Sequence, residues 1–173
     1  MRKAALMLRT AAILPGAALL LAGCLGLAQK LPWQTGDSTD DQHQFVHFLY
    51  PEQVNVPAGK DSVVELHFKV NAGMHINSHT PREKSLIPTQ LAVIEPPGLK
   101  IDTVDFPSGS DYSFAAMPND KLSVYSGEFV LRAHIHPEPG DHLLEGVLRY
   151  QACDNSTCFP PRKAPIAVDI IAH

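Results

Sequence analysis

Hydrophobic and polar positions alternate with a period of two in the stretch Ser62–Val70. Every second residue from Val64 onwards is apolar, and the residues between them are Glu65, His67 and Lys69. A period of two places one set of side chains on a buried face and the other set in water. The pattern therefore predicts a half-buried β-strand.

Other apolar runs of similar length are separated by turn-forming residues, and no stretch keeps a helical period. The runs are 45–50, 90–95, 99–106, 122–136, 142–152 and 164–172. The run 122–136 is long enough that we expect a bend near Ser126 and Gly127. Fifteen prolines also favour turns and strand edges over helices. Short strands at such spacing predict an all-β chain folded as a β-sandwich.

The segment 107–120 is less regular and is predicted to be a loop. It nevertheless contains the apolar residues Tyr112, Phe114 and Met117. Long loops in compact domains are either functional or disordered. Two interpretations stay open: the apolar side chains pack on the domain's own strands, or they cover a functional site.

The N-terminal residues have the pattern of an export signal. Arg2, Lys3 and Arg9 precede an apolar run that is too short to span a membrane. The run ends in Leu-Ala-Gly-Cys24, which resembles the lipobox of bacterial lipoproteins, and this implies cleavage before Cys24 and a diacylglycerol on its thiol. The alternative is an ordinary secretory cut after Ala28.

The predicted organisation has three parts. Residues 1–23 form a lipoprotein-type signal peptide, residues 24–41 a lipidated cysteine with a flexible polar tether, and residues 42–173 the folded domain. Removal of the signal changes the net charge from −4 to about −7, since the signal holds three basic and no acidic residues. With no basic patch, nucleic acid is not an expected partner.

Cys153 and Cys158 are the candidate chemistry of the domain. An extended chain would separate them by about 16 Å, whereas a disulfide needs Cα atoms within roughly 4.4–6.8 Å. Asp154, Asn155 and Ser156 lie between them and favour the tight turn that such a bond requires. Export would place both thiols in an oxidising compartment.

A disulfide at this spacing has two possible roles. Closing a loop of about six residues stabilises a fold by only about 2 kcal/mol in the chain-entropy model, which favours an exchanging bond over a structural one. Local structural disulfides also occur in exported domains, so a binding or assembly module with a structural disulfide is the alternative function. Asp154 disfavours a nearby thiolate, whereas Arg162 and Lys163 favour one at Cys158, and the sequence does not decide between them.

The cysteine motif resembles that of a known family. Tyr150-Gln151-Ala152-Cys153 followed by Cys158-Phe159-Pro160-Pro161 is similar to the N-terminal periplasmic domain of the DsbD thiol:disulfide interchange proteins. The similarity covers the chain from about residue 42 onwards. Supporting stretches are Gly-Met-His-Ile-Asn-Ser at 73–78, Leu-Ile-Pro-Thr at 86–89, Pro-Pro-Gly at 96–98 and Val-Tyr-Ser-Gly at 124–127.

The resemblance implies an immunoglobulin-like β-sandwich and a different chemical role for each of the two sulfurs. Cys158 would form the mixed disulfide with partners and Cys153 would resolve it. An aromatic residue of the segment 107–120 would cover the bond, with Phe114 the first candidate and Tyr112 the second. The residues expected to line the site are Tyr150, Phe159 and Pro160.

The resemblance also implies partners and a location. The partners would be thioredoxin-like proteins and a membrane thiol electron carrier, and no cofactor is needed because the cysteine pair carries the two electrons. Family members often continue into a membrane-spanning carrier and a thioredoxin-like domain, whereas this sequence ends at His173. The expected location is the bacterial cell envelope, facing the periplasm on a lipid anchor, or alternatively the soluble periplasm.

Metal binding and hydrolysis have weaker support. His134 and His136 would share one strand face, and Met74, His75 and His79 offer further ligands, but no group has zinc-like spacing. No Gly-x-Ser-x-Gly motif occurs, so a hydrolase of that type is not indicated.

Overall fold

A computed structural model of the chain describes residues 44–50, 53–114 and 117–173, without the side chains of Met117 and Pro118. The predicted signal peptide, Cys24 and the tether lie outside the described residues. Within the described ranges, no helix combines the length and the hydropathy needed to cross a bilayer.

The described residues form twelve β-strands in three four-stranded sheets. The strands are β1 Val46–Leu49, β2 Gln53–Val56, β3 Ser62–Val70, β4 His75–Asn77, β5 Gln90–Ile94, β6 Leu99–Asp105, β7 Ser110–Phe114, β8 Met117–Tyr125, β9 Glu128–Pro137, β10 Gly140–Tyr150, β11 Ala152–Cys153 and β12 Arg162–Ala172. Sheet A has the order β1-β3-β9-β6, sheet B the order β2-β12-β10-β5, and sheet C the order β11-β4-β8-β7. Neighbouring strands are antiparallel except β2 and β12, which are parallel.

Sheets A and B pack face to face and enclose the hydrophobic core. In β3 the apolar residues of the alternating sequence are the buried ones, and Leu66 and Phe68 are fully buried. They belong to one cluster with Leu131 of β9, Leu144 of β10 and Ile170 of β12. The period of two therefore arises because each inner strand presents one face to the opposite sheet. The all-β, immunoglobulin-like sandwich prediction is confirmed.

Sheet C lies at one end of the sandwich, where strands leave the two main sheets. β4 follows β3 of sheet A, β11 follows β10 of sheet B, and β8 leads into β9 of sheet A. A row of aromatic rings joins sheet C to the core, because Tyr125 stacks on Phe129 at 4.9 Å and Phe129 stacks on Phe68 at 5.3 Å between ring centroids. The cysteine motif is consequently carried on strands that continue directly from the core.

The long run 122–136, predicted as one bent strand, is two strands in different sheets. β8 ends at Tyr125 in sheet C and β9 begins at Glu128 in sheet A. Gly127 lies between them with φ 63°, a left-handed conformation that glycine adopts at little cost. The turn is fixed by a hydrogen bond from the backbone N–H of Val70 to the carbonyl of Gly127, at 2.8 Å.

The segment predicted as a loop contains regular structure. β7 and β8 pair along their length as an antiparallel hairpin, with Tyr112 opposite Leu122. β7 is an edge strand that is buried only in part, so its side chains do not show a clean alternation of polarity. The short strands β2, β4 and β11 were likewise not predicted, because two to four residues are too few to show a period.

Candidate functional site

Cys153 and Cys158 form a disulfide, and their Cα atoms are 4.0 Å apart. Cys153 ends β11, and the chain reverses at once so that Cys158 returns beside it. Two backbone hydrogen bonds close the reversal: Asp154 N–H donates to the carbonyl of Thr157 at 2.9 Å, and Phe159 N–H donates to the carbonyl of Ala152 at 2.8 Å. The turn expected from the residues between the cysteines is therefore present.

Asp154 organises this turn. Its Oδ1 accepts hydrogen bonds from the backbone N–H of Ser156 at 2.7 Å, from the Ser156 hydroxyl at 2.9 Å and from the backbone N–H of Thr157 at 2.7 Å. The backbone N–H of Ser156, followed by that of Thr157, lowers the pKa of the Asp154 carboxyl. The carboxylate is thus charged at neutral pH, and its oxygen is directed into the loop.

The two sulfur-bearing residues differ in exposure. Cys153 is 1% exposed, because β11 is inserted beside β4 in sheet C, whereas Cys158 is exposed to solvent. Cys158 is therefore the residue of the pair that a thiolate from another protein would approach first. Attack there would expel Cys153 as the leaving sulfur.

His75 lies directly across from Cys153. The two are paired Cα positions in the antiparallel ladder of β4 and β11. His75 is 2% exposed, and its ring lies 4.0 Å from that of Tyr112 between centroids. Burial lowers the pKa of the His75 imidazole, while the charge of Asp154 raises it to a smaller extent. The sequence offered His75 only as a possible metal ligand, and its apolar neighbours Met74 and Ile76 were the one sign that it is buried.

Tyr112 of β7 contacts the cysteine loop directly. Its hydroxyl donates a hydrogen bond to Oδ1 of Asn155 at 2.8 Å. The ring of Phe114 lies edge-on to Tyr112 at 5.4 Å and to His75 at 6.0 Å between centroids. The hairpin that was a candidate cover is therefore joined to the loop through Tyr112, with Phe114 next to it. Covering of the disulfide by either ring stays a prediction.

The candidate lining residues lie at different depths. Tyr150 is fully buried, and its hydroxyl accepts hydrogen bonds from the backbone N–H groups of Phe45 at 3.1 Å and Val46 at 3.3 Å. Phe159 is half-buried and packs on Phe45 with 4.7 Å between ring centroids. Pro160 is exposed. Tyr150 thus binds the start of β1 through its hydroxyl. Phe159 and Pro160 are the two residues that follow Cys158 in the sequence.

Replacing Tyr112 by Phe is expected to speed reduction of the disulfide by dithiothreitol by about threefold or more. The substitution keeps the ring on His75 but removes the hydrogen bond to Asn155, whose net value is about 0.5–1.5 kcal/mol. The rate of reduction is measured by mixing the protein with dithiothreitol in a stopped-flow device, and alkylation of the free thiols follows the loss of the disulfide. Tyr50→Phe is the matched control, because Tyr50 is 68% exposed and outside sheet C. Equal reduction rates in the wild type, Tyr112→Phe and Tyr50→Phe would contradict a role for the Tyr112–Asn155 hydrogen bond in slowing reduction of the disulfide.

The two histidines of β9 that the sequence offered as metal ligands are paired with carboxylates. Nε2 of His134 lies 2.8 Å from Asp105 and Nδ1 of His136 lies 2.8 Å from Asp61. Across the described ranges, no three or more His, Cys, Asp or Glu residues are grouped as a metal site would require.

Comparison with known proteins shows weak similarities of fold. No family model and no curated protein matches the chain. Among solved structures, the chain is similar to the N-terminal periplasmic domain of ScsB from Proteus mirabilis, with 16% identity, a TM-score of 0.45 and coverage of 65% of this chain and 42% of that one. The Neisseria meningitidis DsbD N-terminal domain in the reduced form gives 16% identity, a TM-score of 0.40 and coverage of 64% and 78%. The Vibrio cholerae VesB protease gives 9% identity, a TM-score of 0.40 and coverage of 78% and 33%. Similarity at these values assigns no activity, because unrelated functions occur on one fold.

Proposed function

We propose that this chain is an exported thiol–disulfide exchange module that passes electrons to other exported proteins through Cys153 and Cys158. The observation that carries the proposal is the asymmetry of the disulfide, with Cys158 exposed and Cys153 buried. An exchanging couple needs one sulfur that a partner can reach and a second sulfur held beside it. A bond that serves only as a cross-link has no such requirement.

The proposed cycle has two displacements. A thiolate of a thioredoxin-like donor attacks Cys158, the Cys153–Cys158 bond breaks, and Cys153 leaves with the electron pair. The donor's second thiol then displaces Cys158, which leaves the donor oxidised and this domain with two thiols. In the second half, Cys158 attacks the disulfide of an exported protein and Cys153 resolves the resulting mixed disulfide.

Such recycling requires a fold that survives loss of the bond, and the bond is expected to supply only a small part of the stability. The closed loop is short, so the bond contributes about 2 kcal/mol in the chain-entropy model. The core between sheets A and B does not include either cysteine. Domains of this size typically have about 5–15 kcal/mol of stability in total. The reduced domain is therefore expected to stay folded.

The deciding experiment is a redox titration of the full chain with Cys24→Ser, so that only Cys153 and Cys158 titrate. An exchanging couple is expected to equilibrate above about −300 mV, whereas structural disulfides of exported proteins typically lie below that value. Thermal melting of the oxidised and reduced proteins is measured alongside. A potential below this value, together with unfolding on reduction, would instead support the binding or assembly module.

We further propose that the domain is anchored to the bacterial envelope through a lipidated Cys24 and that its electron donor is a thioredoxin-like protein or a membrane thiol carrier. Two or more acyl chains hold a protein on a membrane far better than one. Fractionation of cells expressing the wild type is expected to give membrane-bound protein, and Cys24→Ser is expected to give soluble protein. Equal solubility of the two would contradict the anchor.

A further inference from the structure

His75 lies beside the disulfide, and the exchange cycle described above leaves it without a role. Its Cα is the cross-strand partner of the Cys153 Cα. Opposite residues of an antiparallel pair project to the same face of the sheet, with their Cβ atoms about 4.5–5.5 Å apart. The imidazole and the buried sulfur are therefore neighbours on one face.

The imidazole has an unused hydrogen-bonding atom at this position. Nε2 of His75 is buried and has no hydrogen-bond partner among the residues that the structure describes. Buried polar atoms without a partner are rare and need an explanation. In the oxidised protein the sulfur of Cys153 carries no hydrogen, so it offers Nε2 no donor. Reduction creates an S–H group on Cys153, and with it a donor for Nε2.

The surroundings of His75 keep the imidazole neutral. Burial lowers its pKa, so at neutral pH one ring nitrogen is free to accept a proton. The charged group that acts on it is Asp154 of the cysteine loop. β7 contributes the phenol of Tyr112 and the ring of Phe114. Tyr125 of β8 lies opposite Ile76, the next residue of β4, and its hydroxyl donates to the carbonyl of Pro107.

Cys153 is the thiol that needs a base. A thiol in apolar surroundings has a raised pKa, and only the thiolate attacks a disulfide. Asp154 next to Cys153 opposes a second negative charge, because its own pKa is lowered and it stays ionised. Cys158 is exposed and can lose its proton to water.

We propose that His75 is the proton acceptor for Cys153 in the resolving step of the exchange, an inference that rests on the proposed function. The proton of the Cys153 thiol passes to Nε2 of His75 as the sulfur attacks Cys158. The Cys153–Cys158 bond forms, and the bond between Cys158 and the substrate sulfur breaks. The substrate sulfur leaves with the electron pair as a thiolate, so the cysteine pair is oxidised and the substrate disulfide is reduced. The imidazolium then loses this proton to solvent, because burial lowers the pKa of His75, and Cys153 takes up a proton again when a donor later reduces the pair.

The test uses Ellman's reagent and the reduced full chain carrying Cys24→Ser. Each molecule releases one thionitrobenzoate when Cys158 attacks the reagent and a second when Cys153 resolves the mixed disulfide. His75→Phe keeps an aromatic ring against Tyr112, and His75→Gln keeps a polar group that cannot take up a proton. The matched control is His79→Phe, since His79 is exposed and stacks on Phe106 at 3.9 Å.

Both His75 variants are expected to slow the second release at pH 7 by at least about tenfold, a threshold set below the usual general-base contribution of about 10²–10⁴-fold. The first release is expected to change by less than about twofold, and His79→Phe to behave as the wild type. In the wild type the second release should slow as the pH falls through the pKa of His75, below its ordinary value of 6.5. In the variants this inflection should disappear, and the rate should follow ionisation of the Cys153 thiol alone.

The outcomes separate this inference from the function on which it rests. Equal second-release rates in the wild type and a folded His75 variant would overturn the role of His75 and leave the exchange function standing. A wild type that releases only one thionitrobenzoate would overturn the exchange function itself. Should both variants fail to fold, the ¹⁵N resonance of Nε2 in the wild type decides. It should move on reduction and move less in reduced Cys153→Ala, and a resonance unaffected by reduction would overturn the proposal.

Discussion

Cys153→Ala is expected to accumulate a mixed disulfide with a thioredoxin at a rate at least about tenfold above that of Cys158→Ala. In Cys153→Ala the exposed Cys158 remains and the residue that would resolve the complex is gone. In Cys158→Ala the remaining thiol is on Cys153, which is 1% exposed beneath the loop. Access to the sulfur therefore sets the difference between the two variants.

The measurement uses both variants in the Cys24→Ser background and a thioredoxin with a single active-site cysteine, activated as its thionitrobenzoate disulfide. Non-reducing gels and the release of thionitrobenzoate give the rate of complex formation. Alkylation in denaturant is the control, since both variants must then show one reactive thiol. Thermal melting confirms that each is folded. Equal trapping, or faster trapping by Cys158→Ala, would show that exposure in the oxidised structure does not select the attacking sulfur.

Tyr150→Phe is expected to lower the free energy of unfolding by about 1–3 kcal/mol, the usual cost of leaving a buried polar group without its partner. The hydroxyl of Tyr150 accepts the backbone N–H groups of Phe45 and Val46, and the substitution removes that acceptor while keeping the ring in the core. The start of β1 would lose its attachment to the end of β10. Phe45 packs on Phe159, so the loss also reaches the cysteine loop.

Urea unfolding of the oxidised proteins measures this change, and Tyr50→Phe is the matched control. Tyr50 is 68% exposed, so removal of its hydroxyl should change the unfolding free energy by less than about 0.5 kcal/mol. A Tyr150→Phe protein as stable as the wild type would show that water or a rearranged backbone satisfies the two N–H groups. Tyr150 would then be a packing residue only.

Apart from the four-residue β2, the strands of the two main sheets could be predicted from the sequence because the inner strands present one face to the core. In β3 the apolar residues recur at every second position, and those residues form the core. The same reasoning failed for β7, since an edge strand that is buried only in part carries no such pattern. The sequence pattern also predicted β8 and β9 as a single bent strand. Gly127 shows where the chain can turn, but not that the next strand joins another sheet.

The sequence by itself determined the all-β class, the bond that two cysteines five positions apart can make, and the turn that Asp154 stabilises between them. These follow from local properties: side-chain period, turn chemistry and the reach of a short chain. Tertiary structure alone decided that Cys153 is buried and Cys158 exposed, that Tyr112 contacts Asn155, and that His75 is the cross-strand partner of Cys153. The residues in these last two pairs are 43 and 78 positions apart, and only the pairing of strands in sheet C brings them together.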